Sequence, residues 1–215
     1  MVRVDPVQFV ESVQPHLHYE NLHELAGFLK SNWSKDQLMS LLFCDNADAR
    51  KVAALSLALV GCKSCIAKLA DQLQDPDPMI NQMAEHALWS IWFRSGSCPA
   101  NQEVCRGSKA LNSRELDKAI EHFGRAIDID PGFAEAYNQR AIAYYLLEQY
   151  ELSIADCRKT VKLMPCHFGA WAGMGHGFAH LHRPADAIRC YNKALEINPH
   201  LTSLNEAINQ LKFKP

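Results

Sequence analysis

Small and large apolar residues recur with a period of 34 through the second half of the chain. Gly107, Ala141 and Gly175 share one column, Ala119, Ser153 and Ala187 a second, and Ala126, Thr160 and Ala194 a third. Between them run large columns: Tyr137 with Trp171, Tyr144 with Phe178, and Phe123, Cys157 and Tyr191. Helices approach closely only where side chains are short, so small columns set against large ones predict antiparallel helix pairs. Pro131, Pro165 and Pro199 close the three units, because proline cannot continue a helix. A unit of this size buries its apolar face only by stacking on its neighbours, which predicts an all-α solenoid.

Beyond Pro199, the spacing of Ser203 and Glu206 is that of a capping box and predicts a helix over 203–212, with Leu204, Ala207, Ile208 and Leu211 on one stripe. The first half carries a different recurrence. Residues 49–60 and 80–91 align at an offset of 31, matching Ala53 with Ala84, Leu57 with Leu88 and Val60 with Ile91 at helical spacing. Asp77 followed by Pro78 starts the second of these helices, since proline's missing donor costs nothing in a first turn. Ile66, Leu69, Ala70 and Leu73 form a further stripe after a break at Gly61. Asp5 and Pro6 open a short helix bearing Phe9, Val10 and Val13, and residues 22–29 form another; the two read as a cap over the helices that follow. The turn-rich segment 95–99 marks a boundary. Its shortness leaves open whether the halves stack continuously or stand as independent domains.

The order Trp171, Gly175, Phe178, Ala187, Tyr191, Ala194, Pro199 resembles the tetratricopeptide repeat (TPR). The resemblance implies an α-solenoid domain over 100–215, with copies at 100–133, 134–167 and 168–201 and a capping helix at 203–212. The first copy departs most, carrying Glu103 and Ala110 where aromatics are usual. Arg140 stands where the family has leucine, so its charge needs a partner or a route to water. Residues 35–95 resemble the short HEAT repeats of phycobilisome-lyase-like proteins, on Asp45, Arg50, Ala53, Ala54, Asp75 and Asp77, with Asn81 replacing the second arginine. The expected first domain, 1–95, is thus a HEAT-like helical region with an N-terminal cap.

Composition narrows the chemistry. The net charge of −2 divides into −3 before Cys98 and +1 after it, so neither half is basic. Without a block of lysine and arginine to neutralise phosphates, no nucleic-acid partner is expected. No apolar run approaches the ~20 residues that span a bilayer, and the start lacks a signal-peptide pattern; a soluble, cytoplasmic protein with no membrane partner is expected. In that setting the eight cysteines are expected as thiols. Cys157 and Cys190 take positions of small hydrophobes. Cys62-x-x-Cys65 has the spacing of a redox pair or half a zinc site, yet no second pair follows and no strand precedes it, so a turn between helices is expected. His176 and His180 lie four apart, with His182, Cys166 and His167 nearby; the glutamate of a His-Glu-x-x-His motif is missing, and no metal is expected. There is neither a nucleophile elbow nor a phosphate loop, and the glycines at 173, 175 and 177 fall inside a helix. The chain therefore reads as a non-enzyme without a cofactor.

The TPR resemblance implies that the first helix of each copy lines a concave groove. The matching positions are Asn101, Val104, Cys105 and Ser108; Glu135, Asn138, Gln139, Ile142 and Tyr145; and Gly169, Ala172, Gly173, His176 and His180. TPR co-chaperones grip a C-terminal carboxylate with Lys, Asn, Asn, Lys and Arg, where this chain has Val104, Ser108, Gln139, Gly169 and Gly173, so no carboxylate-clamp chaperone tail is expected. What remains is a mildly apolar trough suited to a peptide of a partner protein, centred on Asn138, Gln139, Ile142 and Tyr145 and flanked by Glu135, Ala172, Gly173, His176 and His180. A scaffold or adaptor is the expected function. Two other classes stay open: an accessory of bilin-lyase type, and a structural subunit that self-associates or joins a larger assembly.

Overall fold

In a computed structural model, residues 4–17 and 22–213 are described. They contain thirteen α-helices and no strand, and no described helix is long and apolar enough to cross a membrane. The chain divides into two units, Met1–Trp92 and Phe93–Pro215.

The first unit comprises α1 (Pro6–Leu17), α2 (Leu22–Asn32), α3 (Lys35–Leu41), α4 (Ala47–Val60), α5 (Ile66–Asp71) and α6 (Pro78–Phe93), which runs one residue past it. Helix α4 is its hub, with α1, α2 and α3 all packed on it. Ala49, Ala53, Ala54 and Ala58 are buried along α4 and let its neighbours come close. Phe9 and Val13 of α1 are fully buried, and Phe9 meets Trp33 edge to face at 5.1 Å. Helix α3 has a capping box not singled out from the sequence: Ser34 Oγ accepts from the Gln37 amide, while Gln37 Oε1 accepts from the Ser34 amide. Asn46 caps α4, accepting from the Ala49 amide at 2.9 Å.

The 31-residue recurrence has a counterpart in hydrogen bonding. Arg50 Nη1 donates to the Cys44 carbonyl at 3.0 Å, and Asn81 Nδ2 donates to the Asp75 carbonyl at 3.4 Å, both partners shifted by the same interval. Arg50 also pairs with the Asp75 carboxylate at 2.9 Å, and Lys51 with Asp77 at 3.0 Å.

The second unit holds three hairpins: α7 (Cys98–Asn112) with α8 (Leu116–Ile129), α9 (Ala134–Leu146) with α10 (Tyr150–Leu163), and α11 (Phe168–His180) with α12 (Pro184–Ile197), followed by α13 (Thr202–Phe213). Each hairpin packs on the next, through α8 on α9 and α10 on α11. The 34-residue period extends to the backbone. The second helix of each pair ends where Asp130, Met164 and Asn198 donate to the carbonyls of Ala126, Thr160 and Ala194. Each of those three residues is followed by one of the periodic prolines.

Packing explains the columns. A Cβ on Gly107 would stand 2.5 Å from the Phe123 ring, and one on Gly175 would stand 2.5 Å from the Tyr191 ring. Only glycine allows a bulky ring across such a helix pair. The middle repeat solves the same contact in the opposite way, with Ala141 in the small column and the smaller Cys157 in the aromatic one, both buried. Helix α13 begins at Thr202, so Ser203 stands in the first turn rather than at the cap position expected for it. Leu204 and Ile208 are buried along α13, as its stripe requires.

Candidate functional site

Helix α7 touches α9 and α9 touches α11, so the first helices of the three hairpins form one row. The residues this row places at its surface are the candidate site.

The middle of the row differs from expectation. Glu135, Asn138 and Gln139 are buried rather than open to a ligand. Glu135 Oε1 accepts from Asn138 Nδ2 at 3.2 Å and from Gln139 Nε2 at 2.6 Å. Its other oxygen lies 2.8 Å from Nε2 of His167, a ring with no exposed surface. His167 Nδ1 accepts from the Ala170 amide at 3.1 Å, capping α11, which leaves Nε2 as the nitrogen that donates to Glu135. A carboxylate taken from water is tolerated only when such donors surround it. These three polar residues therefore hold the second repeat to the start of the third, and their side chains do not form the groove centre expected for them. The signal lay in the columns: His167 occupies the position of Phe133 and Leu201, and a polar residue in an apolar column must find a buried partner.

The exposed part of the row lies further along. Ile142 and Leu146 are each about two-fifths exposed and one turn apart on α9, with Tyr145 half-buried beside them. Tyr145 meets His180 of α11 edge to face at 5.4 Å and Tyr150 at 5.5 Å, and Tyr150 stacks on His180 at 4.6 Å. His180 is exposed. His176 is also exposed on one edge, while its Nδ1 lies 2.8 Å from the hydroxyl of the buried Tyr191. Desolvation of that ring, and then the nearby His180, hold the His176 pKa below its ordinary value, so the neutral form is favoured. Burial pushes the Tyr191 phenol up to about 12; it keeps its proton and donates to His176. Leu146 and Tyr150 belong to this surface and were not singled out from the sequence, although Leu146 follows Ile142 by one helical turn.

Ala172 and Gly173 are half-buried, and a Cβ on Gly173 would sit 3.4 Å from Cys157 Sγ, so α11 lies close over α10 there. In the first repeat, Val104 is buried, Cys105 exposed and Ser108 half-buried. Asn101 is drawn toward the preceding segment, donating to the carbonyls of Arg94 and Gly96 and accepting from the Gly96 amide. The unusual Glu103 is accounted for as well. It pairs with His122 at 2.8 Å, Arg125 at 3.0 Å and Arg106, and His122 first, then the two arginines, lowers its pKa to about 2. That ionic cluster replaces the aromatic anchor of the later repeats, where Tyr137 and Trp171 donate to the carbonyls of Pro131 and Pro165.

Residues 114–163 match the family model described as TPR repeat, and residues 169–201 the one described as Tetratricopeptide repeat. These two stretches carry tetratricopeptide repeats. A TPR repeat-containing protein of Rhizobium etli is 27% identical over 141 residues, a stretch covering 66% of this chain and 68% of that protein. The small glutamine-rich tetratricopeptide repeat-containing protein 2 of Mycosarcoma maydis is 29% identical over 100 residues, covering 46% of this chain but only 28% of that protein. Among solved structures, the second TPR domain of human RPAP3, in complex with the HSP70 peptide SGPTIEEVD, superimposes with a TM-score of 0.52 at 25% identity, covering 54% of this chain and 97% of that one.

Proposed function

We propose that this chain is a non-catalytic, cytoplasmic adaptor that binds a peptide segment of a partner protein along the first-helix row of its TPR unit. The observation that carries this reading is the apolar and aromatic surface made by the exposed Ile142, Leu146 and His180 and the half-buried Tyr145, with His176 at its edge. Apolar side chains on a row of packed helices, edged by hydrogen-bonding rings, suit an extended or helical peptide. The likeness to a TPR domain solved with a bound peptide supports a groove ligand. The ligand is not a chaperone tail in this reading. Val104, Ser108, Gln139, Gly169 and Gly173 offer no cation to a terminal carboxylate, and Gln139 is already engaged by Glu135. The near-neutral charge supports protein rather than nucleic acid as the partner.

The domains are read as 1–95 and 100–215, with repeats at 100–133, 134–167 and 168–201. The first is read as HEAT-like on the strength of the 31-residue recurrence and of the equivalent carbonyl contacts of Arg50 and Asn81.

Calorimetric titration with SGPTIEEVD is expected to give no saturable binding, whereas a displayed peptide library is expected to yield binders rich in apolar and aromatic residues. The double substitution Ile142→Ser, Tyr145→Ala should weaken a selected peptide at least tenfold, on the order of 1.4 kcal/mol, with circular dichroism unchanged. Saturable binding of SGPTIEEVD, or a selected peptide indifferent to the double substitution, contradicts the reading.

A further inference from the structure

We propose that Cys62 and Cys65 form an exchange-active dithiol that reacts with low-molecular-weight disulfides, Cys62 attacking and Cys65 resolving. Cys62 is half-exposed just ahead of the 3-10 turn Lys63–Cys65, whereas Cys65 is fully buried. The Cys65 amide donates to the Cys62 carbonyl at 2.9 Å. A turn closed in this way holds its end Cα atoms within about 7 Å, and disulfides span roughly 4.4–6.8 Å between Cα atoms. The two sulfurs can therefore join without unfolding the segment.

The surroundings of Cys62 favour its anion. Ser64 Oγ lies 3.2 Å from Cys62 Sγ, and the positive charge of the exposed Lys35 of α3 favours the thiolate. Ser64 first, then Lys35, brings the Cys62 thiol down to about 7, while burial holds Cys65 up. An accessible thiolate next to a sheltered thiol is the division of labour that exchange requires. A metal site is a poorer reading of the pair, because the described residues contain no group of three or more His, Cys, Asp and Glu able to hold an ion.

The chemistry balances with a disulfide RSSR as the oxidant. The Cys62 thiolate attacks one sulfur, the S–S bond of RSSR breaks, and RS⁻ leaves with the electron pair. Cys65 then gives its proton to solvent and attacks the Cys62 sulfur of the mixed disulfide, and the second RS⁻ leaves. Both thiolates take up protons. Two protein thiols are oxidised to one disulfide, and RSSR is reduced to two RSH.

The test uses the full chain, reduced and desalted. A short pulse of iodoacetamide at pH 7, read cysteine by cysteine by mass spectrometry, is expected to label Cys62 about fivefold faster than the exposed Cys98 and Cys105. That factor combines a larger thiolate fraction with the lower intrinsic nucleophilicity of a more acidic thiol. Oxidised glutathione is expected to link Cys62 to Cys65, and Cys65→Ser to stop at glutathione on Cys62. Cys65→Ala, which keeps the buried position apolar, repeats the trap should serine disturb the packing. Labelling of Cys62 no faster than of Cys98 and Cys105, no Cys62–Cys65 disulfide, or no trapped adduct in either variant overturns the proposal.

Discussion

Arg114, Glu148 and His182 stand 34 apart, and each takes a positive φ, of 62°, 60° and 54°. Each sits just past the first helix of its hairpin, and the next residue's amide reaches back five positions: Glu115 to Ala110, Gln149 to Tyr144, Arg183 to Phe178. This is the Schellman ending, whose left-handed residue is most often glycine. A side chain there costs about 1 kcal/mol or more, partly offset by the extra freedom glycine gives the unfolded chain. Glu148→Gly is therefore expected to stabilise the protein by roughly 0.5–1 kcal/mol, raising Tm by about 2 °C in calorimetry. A lower Tm would show that Glu148 does more there than turn the chain. None of this was legible in the sequence, because Arg, Glu and His carry no turn signal. Identifying the buried Glu135 cluster likewise required knowing that His167, 32 residues on, turns back to meet it.

Helices were far more legible than side-chain environments. The periodic small residues and prolines located the hairpins because steric exclusion acts on residue size alone, whereas α3, only seven residues long, was not read despite its capping box and the buried Leu38, Leu41 and Leu42. Arg140 shows the difference. Its place in a leucine column demanded a partner without naming one, and the structure supplies Asp156 of α10, at 2.7 Å and 2.9 Å through both oxygens, with the rings of Tyr137 and Tyr144 each 5.8 Å from the guanidinium carbon. Asp156 is buried, so removing either partner strands a charge, whereas removing both leaves an ordinary helix contact. In denaturant unfolding, Arg140→Leu and Asp156→Ala are each expected to cost about 2 kcal/mol, and the double variant less than their sum by 1 kcal/mol or more. Strict additivity would mean that the pair does not join α9 to α10.

Across the whole molecule, periodicity carried the reading furthest. Two recurrences, of 31 and of 34 residues, divide the sequence, and the second reappears in glycine contacts, helix ends and turn dihedrals alike. The row of first helices follows from that stacking, and of the residues that column matching placed on it, Ile142, Tyr145, His176 and His180 form the surface proposed for a ligand, whereas Glu135, Asn138 and Gln139 near the start of α9 are used internally. Hydrogen exchange by mass spectrometry, with and without a library-selected peptide, tests the row most directly. Slowed exchange concentrated in α9 and α11, including the segment around Tyr145 and His180, is the predicted result; protection confined to α8, α10 and α12 would contradict it.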